Sequence, residues 1–576
     1  MSSAGFNLPS KTATEIENVV EASRTPSGHA SNDQFVSEAD KLERHISIRH
    51  MIFMALGGSI GAGLFVGSGA ALGSGGPLNL VLNFALVGLG VGCTMGCLGE
   101  LAASYPVAGA FYDYSRRMIS EAWGFAMGWN FVFNWLIVFP FELTTIAAQM
   151  KYWVPDLQPA YIITPILLAL TGSSFLGSRW FGELEHAFGI GKAVAITVFI
   201  FTAVFIISGA VPTDPRLVDD LSDPKFKVLT SLRRGTGAEY WQNPGAVKNG
   251  ISGFLLVFRT AGMSYGGTEL LGLTAAECKN PQKALPLATK IVFARILFFY
   301  IVSLLLLGFV VPSNHPGLAS TGHGAKYSPF TLAAQIANIK HLPSFFNALI
   351  VVALVSMANA SIFAASRAFQ ALCEKGMGPR WGAKVKWGVP VYAFLVTFVV
   401  GLLAFVNMVE GGAAIFDWLL SLSGASNYYT WASICISYIR FRKAWAAQGH
   451  DHRTLLWNSP FGTWGAIVGL TICIVGLLAN VLTAIMPVSG HYSVQDIFRD
   501  NIGTFIPPAL YLGYILYERM INKIKNPALI PLEKVDVQTG IRLQPETSSS
   551  DLGRPTVVHI ITQGSSSGDL SAVEKS

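Results

Sequence analysis

Long apolar runs alternate with short polar stretches from Met51 to about residue 520. A membrane-crossing helix needs about 20 mostly apolar residues. The runs predict about twelve, at 51–73, 78–103, 123–147, 160–177, 187–211, 251–275, 290–312, 344–370, 390–408, 414–438, 462–486 and 502–518. Tyr152, Trp153, Trp381, Trp457, Tyr511 and Tyr517 flank these spans, as in an interfacial aromatic belt. Residues 1–50 are polar and Ser-rich and predict a largely disordered tail; 521–576 predict a second one, mostly disordered from 526 onward. No apolar stretch precedes Met51, so no cleavable leader is expected.

Composition narrows the class. Of 576 residues, 51% are hydrophobic and 13% charged, against about 25% charged in soluble domains. A water-soluble enzyme of this length would need more charge to cover its surface, and a disordered chain would need far less apolar content. The fold class expected is an all-α polytopic membrane protein with a core domain over 51–520. The net charge of +6 is spread in clusters between apolar runs, not in a stripe that would fit nucleic acid. With the N-terminus inside, the inner loops hold Arg116, Arg117, Arg179, Lys279, Lys283, Lys375, Arg380, Lys384, Lys386, Arg440, Arg442, Lys443 and Arg453, and Arg519, Lys523 and Lys525 follow the last span. The short outer loops hold almost none, so both termini are expected in the cytosol. Cys93 and Cys97 are spaced like metal ligands, but no His or carboxylate accompanies them; small buried helix residues are the expectation, with no metal and no cofactor.

Two glycine clusters stand at spans one and six. The first is Gly57-Gly58-Ser59-Ile60-Gly61-Ala62-Gly63 and the second Gly262-Met263-Ser264-Tyr265-Gly266-Gly267-Thr268. Each Gly costs a helix interior about 1 kcal/mol relative to Ala, so clusters favour local unwinding. Unwound backbone at membrane depth is tolerated where it lines a cavity, and matched broken helices in two halves mark a binding site in many transporters. Freed N–H groups attract an anion and freed carbonyls an ammonium; a zwitterionic α-amino acid carries both. Ser59, Gly61, Ala62, Gly63, Ser264, Tyr265 and Gly266 are the candidate substrate contacts. The competing reading is close helix packing through small residues.

At these residues the chain resembles the fungal amino-acid permeases, the yeast amino-acid transporter family of the amino acid–polyamine–organocation superfamily. The resemblance runs through RHISIRHMIFMALGGSIGAGLFVGSGAAL, GELAASYPVAGAFYDYSRR, PFELTTIAAQMKYW, RWFGELEHAFGIGK, GGTELLGLTAAECKNPQKALP, MANASIFAASRAF, FDWLLSLSGASNYYTWASICISYIRFR and VDVQTG, covering roughly 41–540. It implies a LeuT-type fold of twelve helices, a 5+5 inverted repeat with helices 1 and 6 broken, and proton-coupled uptake of amino acids at the plasma membrane. It also implies ubiquitin-ligase machinery as a partner of the cytosolic tails. Where the family usually has Gly-Thr-Gly in the first break, this chain has Gly61-Ala62-Gly63. Where it often has Phe-Ser-Phe-Ser-Gly-Thr-Glu in the second, this chain has Met263-Ser264-Tyr265-Gly266-Gly267-Thr268-Glu269.

Charges inside a span are expensive and therefore informative. Glu142 in span three suits a proton carrier or a contact for the substrate ammonium; the alternative is a protonated carboxyl bonded to a neighbouring helix. Glu269 suits a proton site or a structural partner of unwound backbone. In members of the superfamily a lysine in helix five replaces a sodium ion; Lys192, so placed, would load and release the proton, or else snorkel to the cytosol. Ser356 and Asn359 are its expected polar neighbours. Glu100 and Arg367, nearer the inner face, suggest gate or scaffold ion pairs. Trp418, Ser421 and Ser423 are candidate pocket residues in span ten. No P-loop or HExxH occurs, which disfavours a pump or a membrane enzyme. A permease for another amine such as GABA or a polyamine, and a non-transporting sensor of the same fold, are the alternatives to an amino-acid importer.

Overall fold

A computed structural model describes residues 46–107, 109–210, 236–278, 281–318, 328–337, 339–408, 423, 425–488, 493–523 and 527–542. These are almost entirely helical and contain no strand. The order is α1 (Ile48–Gly57), α2 (Ser68–Ser104), α3 (Ala110–Met118), α4 (Glu121–Met150), α5 (Ala160–Ser174), α6 (Ser178–Ile207), α7 (Gly250–Ser264), α8 (Leu270–Thr274), α9 (Pro281–Arg295), α10 (Ser303–Val310), α11 (Pro329–Ile336), α12 (Leu342–Glu374), α13 (Val391–Gly401), α14 (Ser426–Ala447), α15 (Gly462–Ile485) and α16 (Val494–Tyr517).

By length and composition, six helices among the described residues can cross a membrane: Gly63–Ser104, Glu121–Met150, Ser178–Ile207, Lys283–Val310, Leu342–Glu374 and Gly462–Ile485. Ile48–Gly57, Ala160–Ser174 and Val391–Val406 are shorter apolar helices. The predicted spans at 51–73 and 78–103 meet in a continuous helical path bent at Gly76, whose φ of +81° only glycine adopts freely, with Pro77 following. Trp418 and Ser421 lie outside the described residues.

The sorting of side chains fits an apolar solvent outside and a packed interior. On α6, Ile190, Val194, Phe201 and Phe205 are exposed, while Glu185, Lys192, Ile196, Phe199 and Ala203 are buried. The two sets follow the i, i+4, i+7 spacing of opposite helix faces. The most extensive helix–helix packing is that of α4 with α12 and of α2 with α7, and α6 packs along α1 and α12.

The end of α2 at Ser104 carries the ionic scaffold. Glu100, wholly buried, pairs with Arg442 at 2.7 Å and accepts from the Tyr438 hydroxyl at 2.8 Å and the Ser459 N–H at 2.6 Å. Arg367 donates from Nε to Glu277 at 2.6 Å and lies over the Phe363 ring. The two residues read as ion-pair members thus have separate partners. The tail, in turn, is partly ordered. Residues 527–542 bind the ends of three helices: the Ile530 N–H donates to Ile119, the Arg542 N–H to Ser104, Arg117 to the Thr539 carbonyl and Tyr105 to the Val537 carbonyl, while Val535 and Val537 are buried. Burial of these two valines and capture of its carbonyls by Arg117, Arg440 and Gln448 order a segment whose polar composition suggests disorder. Replacing Glu100 with Ala leaves Arg442 unpaired in a largely buried site and should cost about 3 kcal/mol, read as a lower melting temperature of the detergent-solubilised protein.

Candidate functional site

Both glycine clusters interrupt their helices. α1 ends at Gly57; residues 58–61 leave the helical path, and the chain resumes through the wide turn Gly63–Gly67 into α2. α7 ends at Ser264, residues 265–269 form turns, and α8 starts at Leu270. The two interruptions touch. A Cβ on Gly267 would lie 2.8 Å from the Gly58 carbonyl oxygen, and one on Gly63 would lie 2.5 Å from Ser264 Cα. Gly267 also holds φ at +97°. Only a missing side chain lets the backbones cross so closely.

α4 and α12 close over this crossing. Glu142 accepts from the Ala62 N–H, and its Oε1 lies 3.3 Å from where a Cβ on Gly61 would be. Its other oxygen, Oε2, is buried with no hydrogen-bond partner among the described residues. Two helical turns earlier on the same face, Trp135 reaches 3.2 Å from the Cβ position of Gly267 and its Nε1 is also buried without a partner. Met357 of α12 touches both breaks, 2.9 Å from the Gly61 position and 3.5 Å from the Gly267 position. A buried acceptor and a buried donor left unmade are unusual, because each costs about 1–3 kcal/mol.

The opened helix end is held by two cations. Lys192 of α6 donates from Nζ to the Gly57 carbonyl at 2.7 Å. Arg295, at the end of α9, donates from Nη1 to the Ala55 carbonyl and from Nη2 to Thr268 Oγ1, both at 2.7 Å. Terminal carbonyls lack intrahelical donors and carry the negative end of the helix dipole, so both cations suit this position. Glu269 does the converse for exposed donors. Its Oε1 accepts from the Gly267 N–H at 3.2 Å and its Oε2 from Trp431 Nε1 at 3.1 Å. The Tyr300 hydroxyl sits between the breaks, 3.0 Å from the carbonyls of both Ser59 and Ser264 and 3.2 Å from Ser59 Oγ.

Comparison with known proteins fits this arrangement. Residues 50–527 match the family described as Amino acid permease. Amino acid transporter 1 of Schizosaccharomyces pombe is 39% identical over 89% of this chain and 86% of its own. Cationic amino acid transporter 1 of the same yeast is 38% identical over 87% and 82%. The General amino-acid permease GAP2 of Candida albicans is 36% identical over 88% and 85%. The chain belongs to the amino acid permease family.

In this multi-pass membrane permease, Ser59, Gly61, Ala62, Gly63, Ser264 and Gly266 do gather at one crossing, with Glu142 beside them. Tyr265 departs from the expectation for its side chain. Its ring is wholly buried, stacked on Tyr300 at 4.3 Å, and its hydroxyl donates to the Phe84 carbonyl, so the side chain packs against α2. Ser356 and Asn359 also differ from expectation. They donate at 3.0 Å each to Glu185, which stands two turns from Lys192 and ties α6 to α12. Lys192 is only 1% exposed and does not snorkel. Ser423 bonds to Asn134, which donates to Asn427 beside Gly266.

Glu185 falls two residues before the predicted span 187–211, so the criterion that picks out Lys192, a charge inside an apolar run, reaches it only once the helix starts earlier. Arg295 lies inside the predicted span 290–312 and meets that criterion as it stands. Gly267→Ala forces a positive φ on Ala and drives Cβ into backbone. That strain, about 1–3 kcal/mol, should lower the initial uptake rate per surface molecule at least about tenfold. Gly172→Ala, with nothing within 4 Å, should leave it unchanged.

Proposed function

We propose that this permease is a secondary active transporter that imports amino acids by proton symport, with alternating access around the crossing of its two interrupted helices. The observation that carries the reading is the convergence of two opened backbones on an unpaired carboxylate oxygen and an unpaired indole N–H. The N–H groups that follow Ala62, whose own amide is held by Glu142, suit the substrate carboxylate. Glu142 Oε2 suits the substrate ammonium, or a carried proton. Glycine at 63 lets the two interrupted backbones cross, and glycine at 61 lets Met357 and Glu142 approach.

Coupling fits the Lys192 site. A protonated Lys192 grips the Gly57 carbonyl and ties α6 to the end of α1. Loss of the proton removes the charge from that grip and frees the inner half of the first broken helix. Glu185, Ser356 and Asn359 tie α6 to α12 two turns from Lys192. The twelve-span, 5+5 inverted repeat, with spans 1, 2, 6 and 7 rocking against the rest, is the architecture this mechanism needs. The charge asymmetry of the loops supports cytosolic termini, and a plasma-membrane location is part of the same proposal. There the membrane potential supplies about 2.3 kcal/mol per charge per 100 mV, enough to concentrate substrate without ATP. No enzymatic step is assigned. The substrate range proposed is broad and neutral.

Uptake of twenty labelled amino acids at two pH values, in cells lacking their own permeases, tests this. Wild type should accumulate neutral amino acids more strongly at the lower pH. Glu142→Gln and Lys192→Met should each abolish accumulation against a gradient. Accumulation by both variants would remove the proton assignment, and competition by GABA or polyamines alone would redirect the substrate class.

A further inference from the structure

The two cations on α1 come from different bodies. If spans 1, 2, 6 and 7 move together, Lys192 of span five holds α1 from the static side. Arg295 of span seven holds it from within the moving group. Their chemistry differs in the matching way. A lysine binds as a point charge that can be discharged, whereas a guanidinium stays charged and offers donors in a fixed fork.

Arg295 is 1% exposed, with no carboxylate in bonding contact among the described residues. Its two terminal nitrogens go to backbone and hydroxyl oxygens, one on each broken helix, and Nε has no partner. Thr268 is tied in turn to its own break by donating to the Tyr265 carbonyl at 2.7 Å. Five residues on, past the start of the wide turn Ile296–Val302, Tyr300 adds a second link between the same two breaks, from Ser59 to Ser264. One stretch of span seven therefore clasps both interruptions at two levels. Glu269, the hydroxyls of Tyr265 and Tyr300 and the Lys192 ammonium are the titratable groups around the guanidinium.

We propose that Arg295 is a positioning residue: a permanent clasp that makes the end of α1 and the second break one rigid unit, so that releasing Lys192 moves both halves of the substrate site together. The proposal rests on the alternating-access reading above. A clasp of this kind acts on ground-state geometry of the binding site, and its loss should appear as weaker apparent affinity. Lys192 feels the guanidinium charge, so the pH profile should keep its shape wherever that charge is kept.

The test uses full-length permease carrying Arg295→Gln, Arg295→Lys, Thr268→Val or Thr268→Ser, with uptake normalised to surface protein. Arg295→Gln and Thr268→Val should raise KM about tenfold, the effect of losing a charge-assisted hydrogen bond. Arg295→Lys should fall between, and Thr268→Ser should return to wild type. The pH profile should be unaltered in Arg295→Lys and in both Thr268 variants, which keep the charge. A second readout needs no transport: Ala55→Cys, at a buried position, should react faster with a membrane-permeant maleimide when combined with Thr268→Val than alone. Should Arg295→Gln fail to reach the surface, Thr268→Val decides. Wild-type KM together with unchanged labelling of Ala55→Cys overturns the clasp. Faster labelling, in a permease whose wild type takes up no amino acid, leaves the clasp standing and overturns the proposed function instead.

Discussion

An opened helix end inside an apolar interior has to find partners for its carbonyls and amides, because neither lipid nor packed apolar side chains will supply them. Everything at this site follows from that requirement. The last turn of α1 gives its Met54 carbonyl to Gly58, Ala55 to Arg295 and Gly57 to Lys192. The second break gives the Gly267 amide to Glu269. Each of these buried charges is there because a backbone group needs it, and each backbone group is open because glycine allows two chains to cross at contact distance.

The same requirement links structure to transport. A site lined by exposed peptide groups recognises what all amino acids share, the carboxylate and ammonium on one carbon. It leaves the side chain to whatever surrounds the crossing. In this permease the surroundings are Trp135, Glu142 and Met357, and the chain that resumes at Ala62. In the mechanism proposed, holding one helix end with one dischargeable and one permanent cation would let a single deprotonation loosen α1 without dismantling the site.

Much of this was legible in the sequence. Glycine clusters five spans apart located both interruptions, and the cost of a charge in an apolar run located Glu142 and Lys192. The rest depended on information a linear pattern does not hold. A span boundary shifted by two residues hid Glu185, while the part played by Arg295, inside its predicted span, depends on which carbonyls it meets in three dimensions. The direction of Tyr265 could not be read, because an unwound stretch has no 3.6-residue period to fix which way a side chain points. The 527–542 segment looked disordered by composition. It is held by the partners it meets in three dimensions, Arg117, Arg440 and Gln448.

The most direct measurement is an experimental density map of the purified permease with a neutral amino acid bound. The ligand carboxylate should lie at the amides that follow Ala62, with its ammonium at Glu142 Oε2. A ligand bound elsewhere, or residues 57–63 and 262–268 forming uninterrupted helices, would contradict the account.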